Sequence, residues 1–168
     1  MSSAPALTLL LLAAACVQRQ EVVARGDSIG EAMAADGPAV TLERTPCFGG
    51  CPVYRVSVTP GGLVSYQGKA NVRHLGAATK QIPPERVRAL LSELERAGYF
   101  SFATRYTPAE AACGRYATDS PAAITYVRLG DRANRVEHDY GCGSAPGALT
   151  VLERRIDEVL GSSQWTGR

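Results

Sequence analysis

The chain has 168 residues, a formal net charge of +2 and 45% hydrophobic residues, enough for one domain with a real core plus a tether. So small a charge requires no nucleic-acid or acidic-polymer partner, and the basic residues are nearly all Arg, with Lys only at Lys69 and Lys80. There is no Gly-x-Ser-x-Gly elbow, His-Glu-x-x-His pair or phosphate-binding glycine loop, so no catalytic residue is assigned.

Residues 6–15 are apolar or small, interrupted only by Thr8, and the run ends at Cys16. It offers about a dozen apolar residues where a membrane-spanning helix needs roughly 20, so it reads as a secretory leader and not as a span. Leu12-Ala13-Ala14-Ala15-Cys16 resembles the lipobox of bacterial lipoproteins, although Leu is more usual where Ala13 stands and Met1 to Pro5 hold no Lys or Arg. The resemblance implies that residues 1–15 are a signal peptide, that Cys16 carries lipid, and that the protein is a membrane-anchored lipoprotein of the cell envelope facing the periplasm or exterior. An ordinary leader cut after Ala13-Ala14-Ala15 would instead release a soluble exported protein. Both routes end in an oxidising compartment.

Residues 16–38 are polar, small and aperiodic, a flexible tether with an end-to-end distance on the order of 25 Å. Within it, Asp27 or Ser28 could cap a short helix over 28–35 whose Ile29 and Met33 share a face. From Val40 the period becomes two. Val40 and Leu42 alternate with polar neighbours; Tyr54, Val56 and Val58 lie opposite Arg55, Ser57 and Thr59; Val64 and Tyr66 follow a turn at Pro60-Gly61-Gly62. These are three strands, the last two a hairpin, and residues 71–74 add a short edge strand.

Pro83, Pro84 and Glu85 then open a helix whose stripe is Val87, Leu90, Leu91 and Leu94 and whose end is near Gly98. Tyr99, Phe100 and Phe102 at its exit are core packing. A second β region runs over 123–129, turns at Gly130-Asp131 and returns over 135–140. A last helix, 146–160, carries Leu149, Leu152, Ile156 and Val159 or Leu160, with Gly161 as its stop. The predicted body is a single α+β domain over 39–162, followed by a disordered tail at 163–168. Its economical arrangement is a two-layer sandwich of a mostly antiparallel sheet of about five strands with two amphipathic helices.

Apart from Cys16 there are four cysteines, Cys47, Cys51, Cys113 and Cys142, which allow three pairings. Phe48-Gly49-Gly50 gives the backbone freedom for a tight Cys47–Cys51 ring, and Cys113 and Cys142 flank the second hairpin, so the expected bonds are Cys47–Cys51 and Cys113–Cys142. On the loop-entropy model the longer ring contributes roughly 3.5 kcal/mol and the shorter about 2. Redox chemistry at Cys47 and Cys51 would want the thiols at a helix N-terminus, whereas the spacing is one residue longer than Cys-x-x-Cys and a strand follows. A zinc site with His74 or His138 lacks paired short spacings at both ends, and no metal or cofactor is implied.

The segment Arg44-Thr45-Pro46-Cys47-Phe48-Gly49-Gly50-Cys51-Pro52-Val53-Tyr54, with Gly68, Thr118-Asp119-Ser120-Pro121 and Leu152-Glu153-Arg154-Arg155-Ile156-Asp157, resembles a bacterial family of unknown function, DUF6438, seen in exported proteins and lipoproteins. The resemblance covers about 40–160 and centres on Cys-x-Gly-x-Cys-Pro-x-Tyr. It implies domain boundaries and compartment and carries no activity. Arg44, Thr45, Pro46, Cys47, Gly49, Cys51, Pro52, Tyr54 and Asp119 are its motif residues.

Two further groups stand out. Val136, His138 and Tyr140 share a strand face, which half-buries His138, and Asp119 before Ser120-Pro121 suits a turn or cap; structural roles are expected of both. Glu93 and Glu95 lie on a solvated helix face. The functional expectation is a non-catalytic exported domain, held at a membrane by lipid on Cys16, that binds an envelope protein or polymer or plays a structural role. The alternative is a thiol–disulfide redox or redox-sensing protein using Cys47 and Cys51.

Overall fold

The computed structural model describes Met1 and residues 37–167, and all of these but Met1 belong to one compact unit that begins at Asp36. The leader after Met1, Cys16, and all of the tether but Gly37 and Pro38, with its short helix, lie outside the described residues. Among the described residues no helix is long and apolar enough to cross a membrane.

The alternating segments form β1 (Val40–Arg44), β2 (Val53–Val58), β3 (Leu63–Ala70), β6 (Ala122–Leu129) and β7 (Arg132–Asp139). Two more strands complete the sheet, β4 (Gly76–Gln81) and β5 (Arg105–Tyr106). The fold is thus α+β with one mostly antiparallel sheet of seven strands, not about five, in the order β4-β3-β2-β1-β6-β7-β5. Only the β5–β7 pair is parallel. β1 sits centrally, Leu42 pairing with Val56 on one side and Thr125 on the other.

The period-two pattern buries one face. Val40, Leu42, Val56, Val58, Val64, Val127 and Val136 are in the core, while Arg55 and Arg135 on the opposite face are exposed. The two longer helices, α1 (Pro84–Arg96) and α2 (Gly147–Leu160), pack on each other, and α2 packs on β1 and β2. Pro84 stands in the first turn of α1, where the missing N–H is no loss, with Glu85 beside it at the positive end of the helix dipole. Gly161, left-handed, ends α2.

Three expectations are corrected. The edge strand lies at Gly76–Gln81, not over 71–74, which instead form the connecting turn with Asn71 at φ 53° and its side-chain amide donating to the Cys51 carbonyl at 3.0 Å. Gly68 makes that turn possible, since a Cβ there would overlap the His74 carbonyl oxygen. The two-residue β5 was not expected at all.

The third correction is the tail. Residues Ser163–Thr166 form a short helix, α3, whose Trp165 is 9% exposed and stacks on Tyr66 at 4.7 Å between centroids. The backbone of α3 accepts from His74 N–H at 2.8 Å and Arg73 N–H at 3.3 Å, so it ties down the β3–β4 turn. Burial of the large ring and these backbone bonds together order the segment. Trp165→Ala is expected to cost about 3 kcal/mol, read as a lower urea midpoint, and truncation after Ser162 should cost at least as much.

Candidate binding cleft

Arg44 ends β1 on the face that carries Val40 and Leu42, so its side chain enters the helix side of the sheet. There it meets Asp157 of α2, with Nη2 at 2.8 Å and Nε at 3.3 Å from Oδ2. The cross-strand partner of Arg44 is Tyr54, whose hydroxyl donates to Oδ1 of the same carboxylate at 2.6 Å. Ser162, just past α2, donates to Oδ1 at 2.6 Å. One carboxylate therefore joins β1, β2 and the α2–α3 turn.

The network continues inward. Arg44 Nη1 donates to the Tyr140 hydroxyl, which donates to Oε2 of Glu153 at 2.5 Å. Oε1 of Glu153 lies 2.9 Å from Nδ1 of His138. His138 is 3% and Glu153 1% exposed, so His138 is fully buried where half-burial was expected, with Tyr106 edge-on to its ring. Burying polar groups this deeply is costly unless they are hydrogen-bonded, and here both Glu153 oxygens and His138 Nδ1 have partners.

Burial alone would lower the Arg44 pKa, but the Asp157 carboxylate and its hydrogen bonds more than reverse this, and the guanidinium stays charged. Burial raises the pKa of Tyr54, and Asp157 adds to it. Burial raises Tyr140 likewise, with Glu153 adding to it and Arg44 opposing. These tyrosines are held as neutral donors.

The motif cysteines stand beside this network. Cys47–Cys51 is a disulfide, and Gly49 inside its ring has φ 136°, a conformation open to glycine. The ring is clamped by the second β region: Phe48 N–H donates to the Asp119 carbonyl at 3.1 Å, Thr45 N–H to the Ala122 carbonyl at 3.0 Å, and Ala122 N–H to the Thr45 hydroxyl at 2.7 Å. Asp119 serves through its backbone at φ 66°, which Asp tolerates better than most residues. Phe48 at the tip is 90% exposed.

Between ring and helices lies a cleft of about 470 Å³. Cys51, Pro52 and Pro121 form part of it, Arg154 and Ser163 another part, and Arg44, Tyr54, Tyr140 and Asp157 line it from the network. Of the sequence-predicted residues, Arg44, Thr45, Cys51, Pro52 and Tyr54 line the cleft, Cys47 and Gly49 complete the ring, Asp119 braces it, and Pro46 is exposed. Cys113 and Cys142 are bonded to each other and buried, away from the cleft lining. Glu93 and Glu95 pair with Arg155 and Arg132 on the helix surface.

Tyr140, Glu153, Asp157 and Ser162 carry roles the sequence reading did not assign, although Glu153 and Asp157 both lie in a segment that carries the family resemblance. The available signal was Glu153, one turn before Asp157, lying within the apolar stripe of Leu149, Leu152 and Ile156. Chemically the arrangement is a saturated scaffold: each buried carboxylate is engaged by donors, and the cleft is framed by rings and prolines.

Two outcomes follow from this geometry. Asp157→Asn strips the charge from a part-buried pair whose side chains are 14% and 21% exposed, and should cost about 2–4 kcal/mol by urea denaturation. Unfolded tyrosine ionises near pH 10.0, whereas folded Tyr54 and Tyr140 do so at higher pH. Above that value the folded state holds more protons, so stability is complete below pH 10 and falls as pH rises beyond it. Tyr54→Phe and Tyr140→Phe should each flatten that fall.

The chain has no match among curated proteins. A family model described as a domain of unknown function, DUF6438, matches residues 38–160, the whole of the sheet and both long helices. The chain belongs to the DUF6438 family.

Proposed function

We propose that this is an exported, lipid-anchored envelope protein whose domain binds a ligand in the cleft without transforming it. The observation that carries the reading is the cleft itself, about 470 Å³ and within the roughly 300–1,000 Å³ of small-molecule sites, framed by side chains already held in place. Prepaid ordering of this kind lowers the entropic cost of binding. The leader and Cys16 support the anchor, with the membrane as one partner and an envelope protein or polymer as the source of the ligand.

A second reading, thiol–disulfide exchange at Cys47 and Cys51, is favoured by the half-buried ring at the cleft edge. Against it, β2 and not a helix follows Cys51, so no helix N-terminus stands there to acidify a thiol. Cys51→Ser separates the two: the redox reading needs a remaining thiol of low pKa and a fold little changed, and the binding reading expects an ordinary thiol and lower stability.

The anchor is tested by intact mass of membrane-extracted protein after thiol blocking, with and without reduction. A lipid-modified chain starting at Cys16 with no blockable thiols is expected, and an unlipidated soluble product would overturn the anchor. Binding is tested by NMR of the labelled full chain in non-ionic detergent against neutral, anionic and cationic fragments. Shifts at Thr45, Arg154 and Ser163 that Ser163→Trp abolishes are expected, and no shift there from any class would overturn the cleft as a binding site.

A further inference from the structure

We infer that the cleft takes small organic carboxylates with an apolar body, the carboxylate held by Arg154 and by the spare donors of Arg44. The inference rests on the binding reading and names its ligand class. It follows from an account of which hydrogen-bonding groups around the cleft are already used.

The acceptors are used. Oδ1 of Asp157 takes Tyr54 and Ser162, and Oδ2 takes two nitrogens of Arg44, which fills the four lone-pair directions of the carboxylate. Glu153 behind it takes Tyr140 and His138. Glu158, also on the lining, is met by Arg155 at 3.0 Å. A cationic ligand would find the Asp157 carboxylate saturated and Glu158, on the exposed rim, already paired with Arg155 through Oε2.

Donors are in surplus. Arg44 uses three of its five N–H groups on Asp157 and Tyr140, leaving two. Arg154 is exposed on α2, lines the cleft, and makes no side-chain hydrogen bond or ion pair among the described residues, although its neighbour Arg155 makes two. A guanidinium presents parallel N–H groups that match the two oxygens of a carboxylate. Within the rest of the lining, Pro52, Pro121 and the Tyr54 and Tyr140 rings offer apolar contact to a ligand body, which a bare inorganic anion would not use.

The test uses three probes with one body and different heads: phenylacetate, phenylethanol and phenethylamine, each titrated by NMR into the labelled full chain in non-ionic detergent. Phenylacetate should shift cleft amides and bind about tenfold tighter than the alcohol, with the amine weakest. Arg154→Ala, a surface change that should leave the amide spectrum dispersed, should weaken phenylacetate about tenfold and leave the alcohol unchanged. Alcohol or amine binding as tightly as the acid, or no effect of Arg154→Ala on phenylacetate, would overturn the carboxylate assignment while the binding reading stands. Silence from all three at the cleft overturns both. N-acetylphenylalanine and octanoate then separate the sources of the chemistry: tighter binding of the first supports a peptide terminus, tighter binding of the second an acyl chain. Failure of both to displace phenylacetate counts against the inference.

Discussion

The Arg44–Asp157 pair is the interaction on which the rest of this structure depends. It ties the end of the central strand to the last turn of α2, across 113 positions of sequence. A guanidinium and a carboxylate taken partly out of water gain little unless their remaining hydrogen-bonding sites are filled. Tyr54 and Ser162 complete the carboxylate, Tyr140 takes a third N–H of the guanidinium, and each belongs to a different stretch of chain. The pair therefore acts as a jig: its energetic value as a contact is modest, but the cost of an unpaired member fixes where β2, α2 and the end of β7 must stand.

That constraint passes along the chain. Asp157 also accepts the Ser162 backbone N–H at its own carbonyl, 3.1 Å away, so side chain and main chain together set the turn after α2. The turn launches α3, α3 seats Trp165 on Tyr66, and its backbone holds the β3–β4 connection. On the other side, Thr45 next to Arg44 binds the start of β6 and leads into the disulfide ring. Cleft walls from distant parts of the sequence thus share one origin, the end of β1.

Much of the scaffold was legible because it follows simple periods. The stripe of Val87, Leu90, Leu91 and Leu94, and that of Leu149, Leu152 and Ile156, appear as α1 and α2, and the valine-rich alternations appear as β1, β2, β3, β6 and β7. β4 was missed because Gly76, Ala77 and Ala78 carry almost no hydrophobic signal; the strand exists because β3 offers it a pairing edge. β5, two residues long, is too short for any periodicity, and α3 rests on the single ring of Trp165. In the site, Arg44 and Tyr54 were visible as motif residues, but their common partner lies on another element, and nothing local in the sequence joins them. Glu153 within an apolar stripe was the one local clue that a buried donor awaited it.

The chain enters the folded body at Ala39 and the cleft gathers around Arg44, at the two ends of the same strand, which spans about 17 Å at 3.4 Å per residue. A lipid anchor upstream would pull on the Ala39 end, where the strand is paired on both edges, Ala39 itself bonding to Val58 and Arg128 at 2.8 Å each. The ladder pairs of β1 with β2 and β6 lie between that end and Arg44. The cleft walls are instead held from the side, by the disulfide ring and by Asp157. On the proposed reading, an anchor would draw on the β1 ladder and a ligand on the Asp157 and disulfide contacts, so a pull on the tether would act on a different set of bonds from those that shape the cleft.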